Sequence, residues 1–126
     1  MNLRPALLEA ARRAVQALRA VGGVKAVVVA TSDGFDVASE AAHGIDPARV
    51  AAMASSIGAI ALVAAQEGGL NDCDQMTVGA KDGFFHLRHA RHPELELIIA
   101  VIAGESAVLA QVHYFTAEQV RLLVVA

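Results

Sequence analysis

Apolar side chains recur every three or four residues near the start of the chain, a spacing that predicts an amphipathic helix. The apolar face of this helix is formed by Leu3, Leu7, Ala11, Ala14, Leu18 and Val21. Pro5 fits the first helical turn, and the pair Gly22-Gly23 ends the helix. The opposite face is polar, so we expect this helix to lie at the surface and to cover other elements with its apolar side.

The next segment predicts a β-hairpin. Residues 24–31 are apolar on both faces and rich in Val, which is typical of a central strand. An Asp-Gly pair between two such runs, here Asp33-Gly34, predicts a two-residue turn with positive φ at both positions. In that register Ser32 faces Phe35, and the second strand is an edge strand with acidic residues pointing outward.

The second helix is predicted by Asp46 as N-cap and Pro47 at the first helical position. Residues 50–66, seventeen in all, contain no charge, which brings the run to the lower limit of a membrane span. Serines, a glycine and a glutamine weaken that alternative. A helix that is apolar all round is otherwise buried on both sides, so we expect this helix to be covered twice.

The two sides of the second helix differ in the size of their residues. We expect the side on the sheet to consist of Val50, Met53, Ile57, Ala61 and Ala64. The other side is mostly small and consists of Ala52, Ser55, Ser56, Ala59, Leu62 and Val63.

The rest of the chain predicts three strands and a helix. Residues 74–81 and 84–91 form a second hairpin around Asp82-Gly83, and residues 95–103 form another buried strand. Residues 106–126 have a helical pattern, with Ser106 as N-cap. Thr116 and Gln119 fit a second capping box, so we expect this helix to kink or restart near Phe115.

The order helix, two strands, helix, three strands, helix predicts an antiparallel α+β domain in three layers. With 126 residues the chain is long enough for one core, so we expect a single domain over residues 1–126. Hydrophobic residues make up 56% of the chain and only 4% of the residues are aromatic. Small side chains suit closely packed layers better than a roomy pocket.

The charges and the cysteine count narrow the functional classes. Residues 26–75 carry seven acids against Arg49 alone, which argues against a nucleic-acid groove. The single cysteine, Cys73, excludes an internal disulfide, and we expect a reducing, cytoplasmic location. We interpret Cys73 as an inert residue at the start of a strand.

Three histidines in the segment "HLRHARH" raise the question of a metal site. Zinc requires three or four ligands that converge on one point. His86 and His89 point to opposite faces of a strand, and His92 precedes a proline in the following turn. We place His86 opposite Gly79 on the neighbouring strand. We interpret all three as surface residues near a sheet edge, and expect neither a metal nor another cofactor.

Thr31, Ser32 and Asp33 form the other candidate cluster for chemistry. A nucleophilic hydroxyl needs a base within hydrogen-bonding distance, and no histidine lies close in sequence, although distant His113 stays open. Asp33 is already explained by the turn. The chain contains no phosphate-binding glycine loop and no paired cysteines. We expect no catalytic residue, and a weak enzyme with distant active residues stays the less favoured alternative.

Taken together, four segments resemble the roadblock / dynein light chain family. They are "GVKAVVVATSDGFDVAS", "GIDPARVAAMASSIGAIA", "MTVGAKDGFFHL" and "ELIIAVIAGES". The segment "ESAVLAQVHYF" departs from the family pattern, which affects the form of the last helix. The resemblance implies a five-stranded antiparallel sheet in the order 2-1-5-4-3, with helix 2 on one face and helices 1 and 3 on the other. It also implies dimers that serve small Ras-like GTPases or motor complexes.

The resemblance leads to a functional expectation: a non-enzymatic homodimer that regulates or scaffolds a small Ras-like GTPase and stimulates its GTP hydrolysis. Whether such a dimer activates, recruits or only holds the GTPase stays open. The alternative is a small-molecule sensor of similar α+β fold. The expected dimer interface consists of Ser55, Ser56, Ala59, Leu62, Val63, Met76 and Val78.

Three arginines are candidates for contact with the partner. Arg49 lies in the first turn of the second helix, and Arg88 and Arg91 lie on opposite faces of the strand that carries the histidines. An inserted arginine accelerates phosphoryl transfer. In the gliding-motility branch of the family the regulator acts without such an arginine, so we expect the dimer to reposition the GTPase instead.

Overall fold

A computed structural model describes residues 3–126, so residues 1–2 of the predicted domain lie outside the described part. Within that part the elements follow one another as α1 (Pro5–Arg19), β1 (Val24–Thr31), β2 (Asp36–Ala41), α2 (Pro47–Glu67), β3 (Gln75–Ala80), β4 (Gly83–Arg91), β5 (Glu96–Gly104) and α3 (Leu109–Val124).

The five strands form one antiparallel sheet in the order β2-β1-β5-β4-β3. β1 and β5 lie at its centre, which explains why both are apolar on both faces. α1 and α3 pack on one face, and α2 packs on the other over β1, β2 and β5. The predicted α+β class, three layers and strand order are confirmed.

Two clusters of buried side chains hold the layers together, and they differ in size. The cluster under α1 and α3 contains the bulky residues Leu7, Leu18, Leu97, Ile99, Val112 and Leu123. The cluster under α2 is smaller and consists of Val28, Ala30, Ala51, Ala54, Leu87, Ile98 and Ala100. The alanines and Gly58 bring α2 close to the sheet: a Cβ on Gly58 would lie 3.4 Å from Cε1 of His89.

The predicted orientation of α2 is correct only in part. Ala51, Ala54 and Gly58 face the sheet, whereas Met53 and Ala64, which were expected there, are exposed. Val50 and Ile57 are half-buried at one side of the contact. A helix without a charged face gives no polar direction that would set its rotation, so the small residues decide it by allowing the closest approach.

The first hairpin has a three-residue loop instead of the predicted two-residue loop. Thr31 pairs with Phe35 (the Thr31 N–H donates to the Phe35 carbonyl at 2.9 Å), and Gly34 donates to the Thr31 carbonyl at 3.0 Å. Gly34 has φ 97°, but Asp33 does not have positive φ. The hydroxyl of Thr31 accepts a further hydrogen bond from Phe35 N at 3.1 Å, which fixes the loop. Ser32 therefore does not face Phe35.

The second hairpin is also shifted from the prediction. Ala80 pairs with Gly83, so the loop is Lys81-Asp82 and Gly83 is the first residue of β4. His86 consequently lies opposite Thr77 and not opposite Gly79. The shift is two residues, so every side chain keeps the face that the pattern predicted. Gly83 is needed because a Cβ there would collide with the carbonyl oxygen of Ala103.

α3 is one continuous helix, so the predicted restart near Phe115 is wrong. Its N-cap position is Val108, which offers no side-chain cap, and Ser106 lies in the preceding turn. Thr116 is fully buried in the middle of the helix, and its hydroxyl donates to the Val112 carbonyl at 2.6 Å. The hydroxyl thus has a partner inside the helix and is not available as a cap.

His86 is buried between β4 and α3, contrary to the expectation that it lies at the surface. The Nε–H of Arg88 donates to His86 Nε2 at 3.1 Å. Because arginine is only a donor, His86 must carry its proton on Nδ1, which donates to the Thr77 hydroxyl at 2.8 Å. The Thr77 hydroxyl then donates to Nε2 of His113, 2.9 Å away. These bonds run in one direction and require both imidazoles to be neutral.

The environment of His86 disfavours its charged form. Burial, the adjacent His113 and the Arg88 guanidinium lower the pKa of His86 from 6.5 to about 4. The His113 ring stacks on His86 with centroids 4.0 Å apart, and burial together with Arg88 lowers its pKa as well. Protonation of His86 would place a proton against the Arg88 donor and break the chain of hydrogen bonds.

We predict that Gly34→Val lowers the free energy of unfolding by about 1–3 kcal/mol, because a β-branched residue resists the left-handed conformation. The matched control is Gly22→Val, since a Cβ at Gly22 meets no atom within 4 Å and Gly22 lacks positive φ. Urea unfolding measures both. Equal destabilisation by the two variants would contradict the assignment of strain to Gly34.

We predict that the folded state loses stability as the pH falls from 6.5 toward 4, because the unfolded chain then binds a proton that folded His86 excludes. Between pH 7 and pH 5 the loss attributable to His86 is about 2 kcal/mol. Urea unfolding at both pH values should show that His86→Gln reduces this pH dependence. His43→Gln, which changes an exposed loop histidine, should leave it intact. The same pH dependence in all three proteins would refute the role of His86.

Candidate functional site

The outer face of α2 is apolar and exposed. Met53, Ile60 and Val63 are 58%, 66% and 55% exposed, whereas only Ala51, Ala54 and Gly58 of this helix are buried. Half-exposed side chains of this size each gain on the order of 1 kcal/mol when they leave water. A contiguous apolar face on a stable helix is characteristic of a binding surface.

The sheet beside α2 continues this apolar face. α2 lies mainly over β1, β2 and β5 and reaches Leu87 of β4, which leaves the same side of β3 and part of β4 without a helix. Met76 and Val78 of β3 are half-exposed there, next to Phe85 and Leu87 of β4. An open groove between α2 and the strands β4 and β5 is lined entirely by apolar side chains: Val50, Met53, Ala54, Ile57, Phe85, Leu87, Ala100 and Ile102. We call the outer face of α2 together with Met76 and Val78 the apolar surface.

The two edges of the sheet differ in charge. β2, at one edge, carries the exposed carboxylates Asp36 and Glu40, which discourage pairing with another strand. β3, at the other edge, has the sequence QMTVGA without a charge. An uncharged edge strand presents free backbone N–H and C=O groups that can pair with a second strand. The edge that borders the apolar surface is therefore the one suited to pairing.

The residues expected at the dimer interface divide into two groups. Ser56, Ala59 and Val63 are exposed on the outer side of α2, whereas Leu62 lines a small cleft between the helix and the sheet together with Ser55 and His89. Ser55 is turned inward, and its hydroxyl donates to the Ser32 carbonyl at 2.6 Å. The expectation that Ser55 faces outward is therefore wrong, and its hydroxyl instead anchors α2 to the first hairpin.

The three candidate arginines have different surroundings. Arg88 is held by His86 and by Gln75 Oε1 at 3.0 Å, and partial burial lowers the pKa of its guanidinium. Arg91 lies 2.9 Å from both Asp72 and Asp74, and its hydrogen bond to Asp74 raises its pKa. Arg49 is exposed, and among residues 3–126 it forms no hydrogen bond or ion pair through its side chain. Only Arg49 is thus free to reach a partner.

A small polar cleft lies between the second half of α2 and the ends of β4 and β5. His89 Nδ1 lies 3.5 Å from Glu96 Oε1 but forms no hydrogen bond with it. The thiol of Cys73 donates to the Gln75 carbonyl at 3.4 Å. Within the described part of the chain, no three His, Cys, Asp or Glu side chains are grouped to hold a metal ion. His86 and His89 point to opposite faces of the sheet, as predicted.

The hydroxyl cluster of the first hairpin lacks the partners that catalysis requires. Thr31 is buried, and its hydroxyl accepts the hydrogen bond of the loop. His113, the distant base that the sequence left open, is bonded to Thr77 of β3, at the opposite edge of the sheet from the first hairpin.

His92 is buried as well, and its Nε2 lies 2.9 Å from the Ala126 carbonyl. The expectation that His92 lies at the surface is therefore wrong.

α2 also has the length and composition of a membrane span. Its mean hydropathy reaches 1.7 over an 18-residue window, of which 17% is buried. The inner side nevertheless packs on the sheet through Ala51, Ala54 and Gly58, and Ser55 bonds to the first hairpin. The helix is therefore one layer of the sandwich, and its low burial reflects the uncovered outer face.

Two exposed apolar residues near α2 were not among the predicted site residues. Ile60 lies on the outer face of α2, and Phe35 projects from the first hairpin. The position of Ile60 could have been predicted from helical spacing, because Ser56, Ile60 and Val63 lie on the same side of the helix. For Phe35 the sequence contains no signal, because its exposure depends on the lack of a neighbouring element.

Comparison with known proteins agrees with this architecture. The Roadblock/LC7 domain model matches residues 10–103, whereas no curated protein matches the chain. The gliding protein MglB from Thermus thermophilus has 15% identity and a TM-score of 0.82 over 97% of this chain and 91% of that chain.

Two further structures have the same fold. Myxococcus xanthus MglB has 14% identity and a TM-score of 0.77 over 98% of this chain and 90% of that chain. A Roadblock/LC7 domain from Streptomyces avermitilis has 24% identity and a TM-score of 0.71 over 87% of this chain and 91% of that chain. Likeness at such identities shows the fold alone, whereas the domain model covers most of the sequence. The chain belongs to the Roadblock/LC7 domain family.

Proposed function

We propose that this chain is a non-enzymatic, cytoplasmic homodimer that binds a small Ras-like GTPase and acts as its regulator or scaffold. The observation that carries the proposal is the apolar surface formed by the outer face of α2 with Met76 and Val78 of β3. A surface of this kind, on a member of the Roadblock/LC7 domain family, is suited to binding proteins.

A second copy of the chain fits this surface. In a twofold contact the same patch occurs on both partners, so an apolar patch meets an apolar patch. Ser56 and Ala59 are small, which lets two α2 helices approach closely. The uncharged β3 edges would then meet beside the helices and could extend the sheet across the dimer. Met53, Ile60 and Val63 would leave water in the same step.

The GTPase partner is proposed from the family and from the relatives of the same fold. The gliding protein MglB from Thermus thermophilus and MglB from Myxococcus xanthus match nearly the whole chain. The family resemblance implies that members of the gliding-motility branch stimulate GTP hydrolysis without an inserted arginine. Arg88 and Arg91 are held within their own subunit, which favours the same mode here. Arg49 is the one candidate whose side chain is free within the described residues.

The alternative, a small-molecule sensor, rests on the groove between α2 and the strands β4 and β5. This groove is open along one side, and its lining offers only apolar contacts. Ligand pockets usually combine apolar walls with a few polar groups that fix the orientation of the ligand. The groove lacks such groups, so closure by a second subunit explains it better.

We predict that Ala59→Arg converts the dimer into monomer or aggregate, because it places an unpaired charge in the apolar contact. Ala110→Arg is the matched control, since Ala110 is an exposed alanine on α3 at the opposite face of the sheet. Sedimentation velocity at micromolar concentration measures both variants. A dimer that survives Ala59→Arg, or an unmutated protein that is monomeric, would exclude the proposed interface.

We predict that the dimer captures at least one small GTPase of its own organism in a nucleotide-dependent manner. If the regulator acts by repositioning the GTPase, Arg49→Ala should change the rate of hydrolysis less than about tenfold, whereas loss of an inserted arginine costs roughly a thousandfold or more. Pull-downs in both nucleotide states, followed by single-turnover hydrolysis assays, provide the measurement. Hydrolysis abolished by Arg49→Ala would show an inserted arginine instead, and capture of no GTPase would favour the sensor.

A further inference from the structure

The tip of the first hairpin presents an exposed aromatic side chain. Phe35 is 61% exposed, although only 4% of the residues in this chain are aromatic. The residue follows Gly34 at the end of the loop, where no neighbouring strand covers it. Aromatic side chains that remain in water on a stable scaffold are the type that most often anchors protein interfaces.

The hairpin tip is held rigidly despite its exposure. The backbone of Phe35 forms two hydrogen bonds with Thr31, one to its hydroxyl and one from its N–H. The next residue along the loop, Ser32, donates from its N–H to the Glu96 carbonyl at 3.1 Å. Its own carbonyl accepts from Ser55 of α2. A side chain presented on a preorganised loop loses little conformational entropy on binding.

The hairpin tip lies beside α2. A Cβ placed on Gly34 would lie 3.5 Å from Cα of Ala52 and 3.5 Å from Cβ of Ser55. Ala52 is exposed on the outer side of the helix, one turn before Ser56. A partner that covers the start of α2 therefore also reaches Phe35.

Negative charge surrounds the aromatic side chain. Asp33 and Asp36, on either side of it in sequence, are both exposed. Asp36 Oδ2 accepts a hydrogen bond from Ser39 Oγ at 2.8 Å, which orients its carboxylate. No Lys or Arg occurs between Lys25 and Arg49. In the adjacent polar cleft, Arg91 forms ion pairs with three carboxylates, those of Asp72, Asp74 and Glu96.

We propose that the tip of the first hairpin is a docking element for the partner protein. The matching surface of that partner is an apolar recess, which receives Phe35, bordered by Lys or Arg side chains that pair with Asp33 and Asp36. Such charge complementarity raises the association rate and selects among partners. This inference rests on the proposed function, and it specifies the chemistry of the GTPase surface that binds.

The first test compares two aromatic residues of nearly equal exposure, one at the hairpin tip and one on α3, which packs on the face of the sheet opposite α2. Phe35→Ala should weaken binding of the captured GTPase at least ~10-fold, as expected for an anchor residue. Tyr114→Ala on α3 is the control, since Tyr114 is 62% exposed and lies on the far face. Binding is measured by interferometry with purified GTPase in the nucleotide state that binds. Sedimentation velocity should show that both variants remain dimers.

The second test concerns charge. Asp33→Asn with Asp36→Asn should slow association several-fold at low salt and flatten its dependence on ionic strength, because the steering charges are gone. Glu9→Gln with Glu118→Gln changes the net charge equally on the α1 and α3 face, and should leave the rate and its salt dependence unchanged.

The outcomes separate this inference from the proposed function. If the unmutated dimer binds a GTPase and Phe35→Ala binds it as tightly as Tyr114→Ala does, the hairpin is not a docking element although the proposed function stands. A faster association after removal of Asp33 and Asp36 would show an acidic partner surface and overturn the proposed chemistry. If no GTPase binds the unmutated dimer, both proposals fail.

Discussion

Close contact between α2 and the sheet is the interaction on which the rest of the structure depends. Ala51, Ala54 and Gly58 form the buried side of the helix, so the helix itself contributes no large side chain to the centre of this contact. Ser55 adds a hydrogen bond to the first hairpin. Because the small residues are used on the inside, the larger apolar side chains of α2 are left on the outside. The exposed face is therefore a consequence of how the helix packs.

That arrangement links assembly to partner binding. α2 covers only part of its face of the sheet, so the neighbouring side of β3 and β4 stays open next to exposed Met53 and Ile60. The hairpin that carries Phe35 is fixed to the other side of the same helix. One helix thus lies between a surface suited to a second copy of the chain and a charged aromatic tip suited to a different protein. Both surfaces depend on the position of α2.

Much of the fold could be predicted because nearly every element has a clear local signal in its apolar pattern, its cap or its turn. The apolar central strands, the amphipathic first helix and the Asp46 cap all predicted elements that the structure contains. The strand order required the family resemblance, since local patterns do not determine which strands pair. The rotation of α2 could not be predicted, because an uncharged helix has no polar side to define its orientation.

The remaining errors concern contacts between residues distant in sequence. His86 was expected at the surface because histidine is polar, yet Thr77 and Arg88 form hydrogen bonds with it and the ring of His113 stacks on it. The turn positions differ because an Asp-Gly pair indicates a hairpin but does not define its loop length. In the candidate site, the outward orientation of Ser56, Ala59 and Val63 could be predicted from their helical spacing. The exposure of Phe35 depends on the lack of a neighbour, which no local pattern reveals.

Position-specific disulfide formation tests the central claim most directly. In a Cys73→Ser background, Ala59→Cys places a thiol on the outer side of α2, and Ala110→Cys places one on the opposite face of the molecule. If two α2 helices meet across a twofold axis, mild oxidation of the Ala59→Cys protein yields a covalent dimer, whereas the Ala110→Cys protein stays uncrosslinked. Equal crosslinking at both positions, or none at position 59 in a protein that is dimeric in solution, would contradict an interface formed by α2.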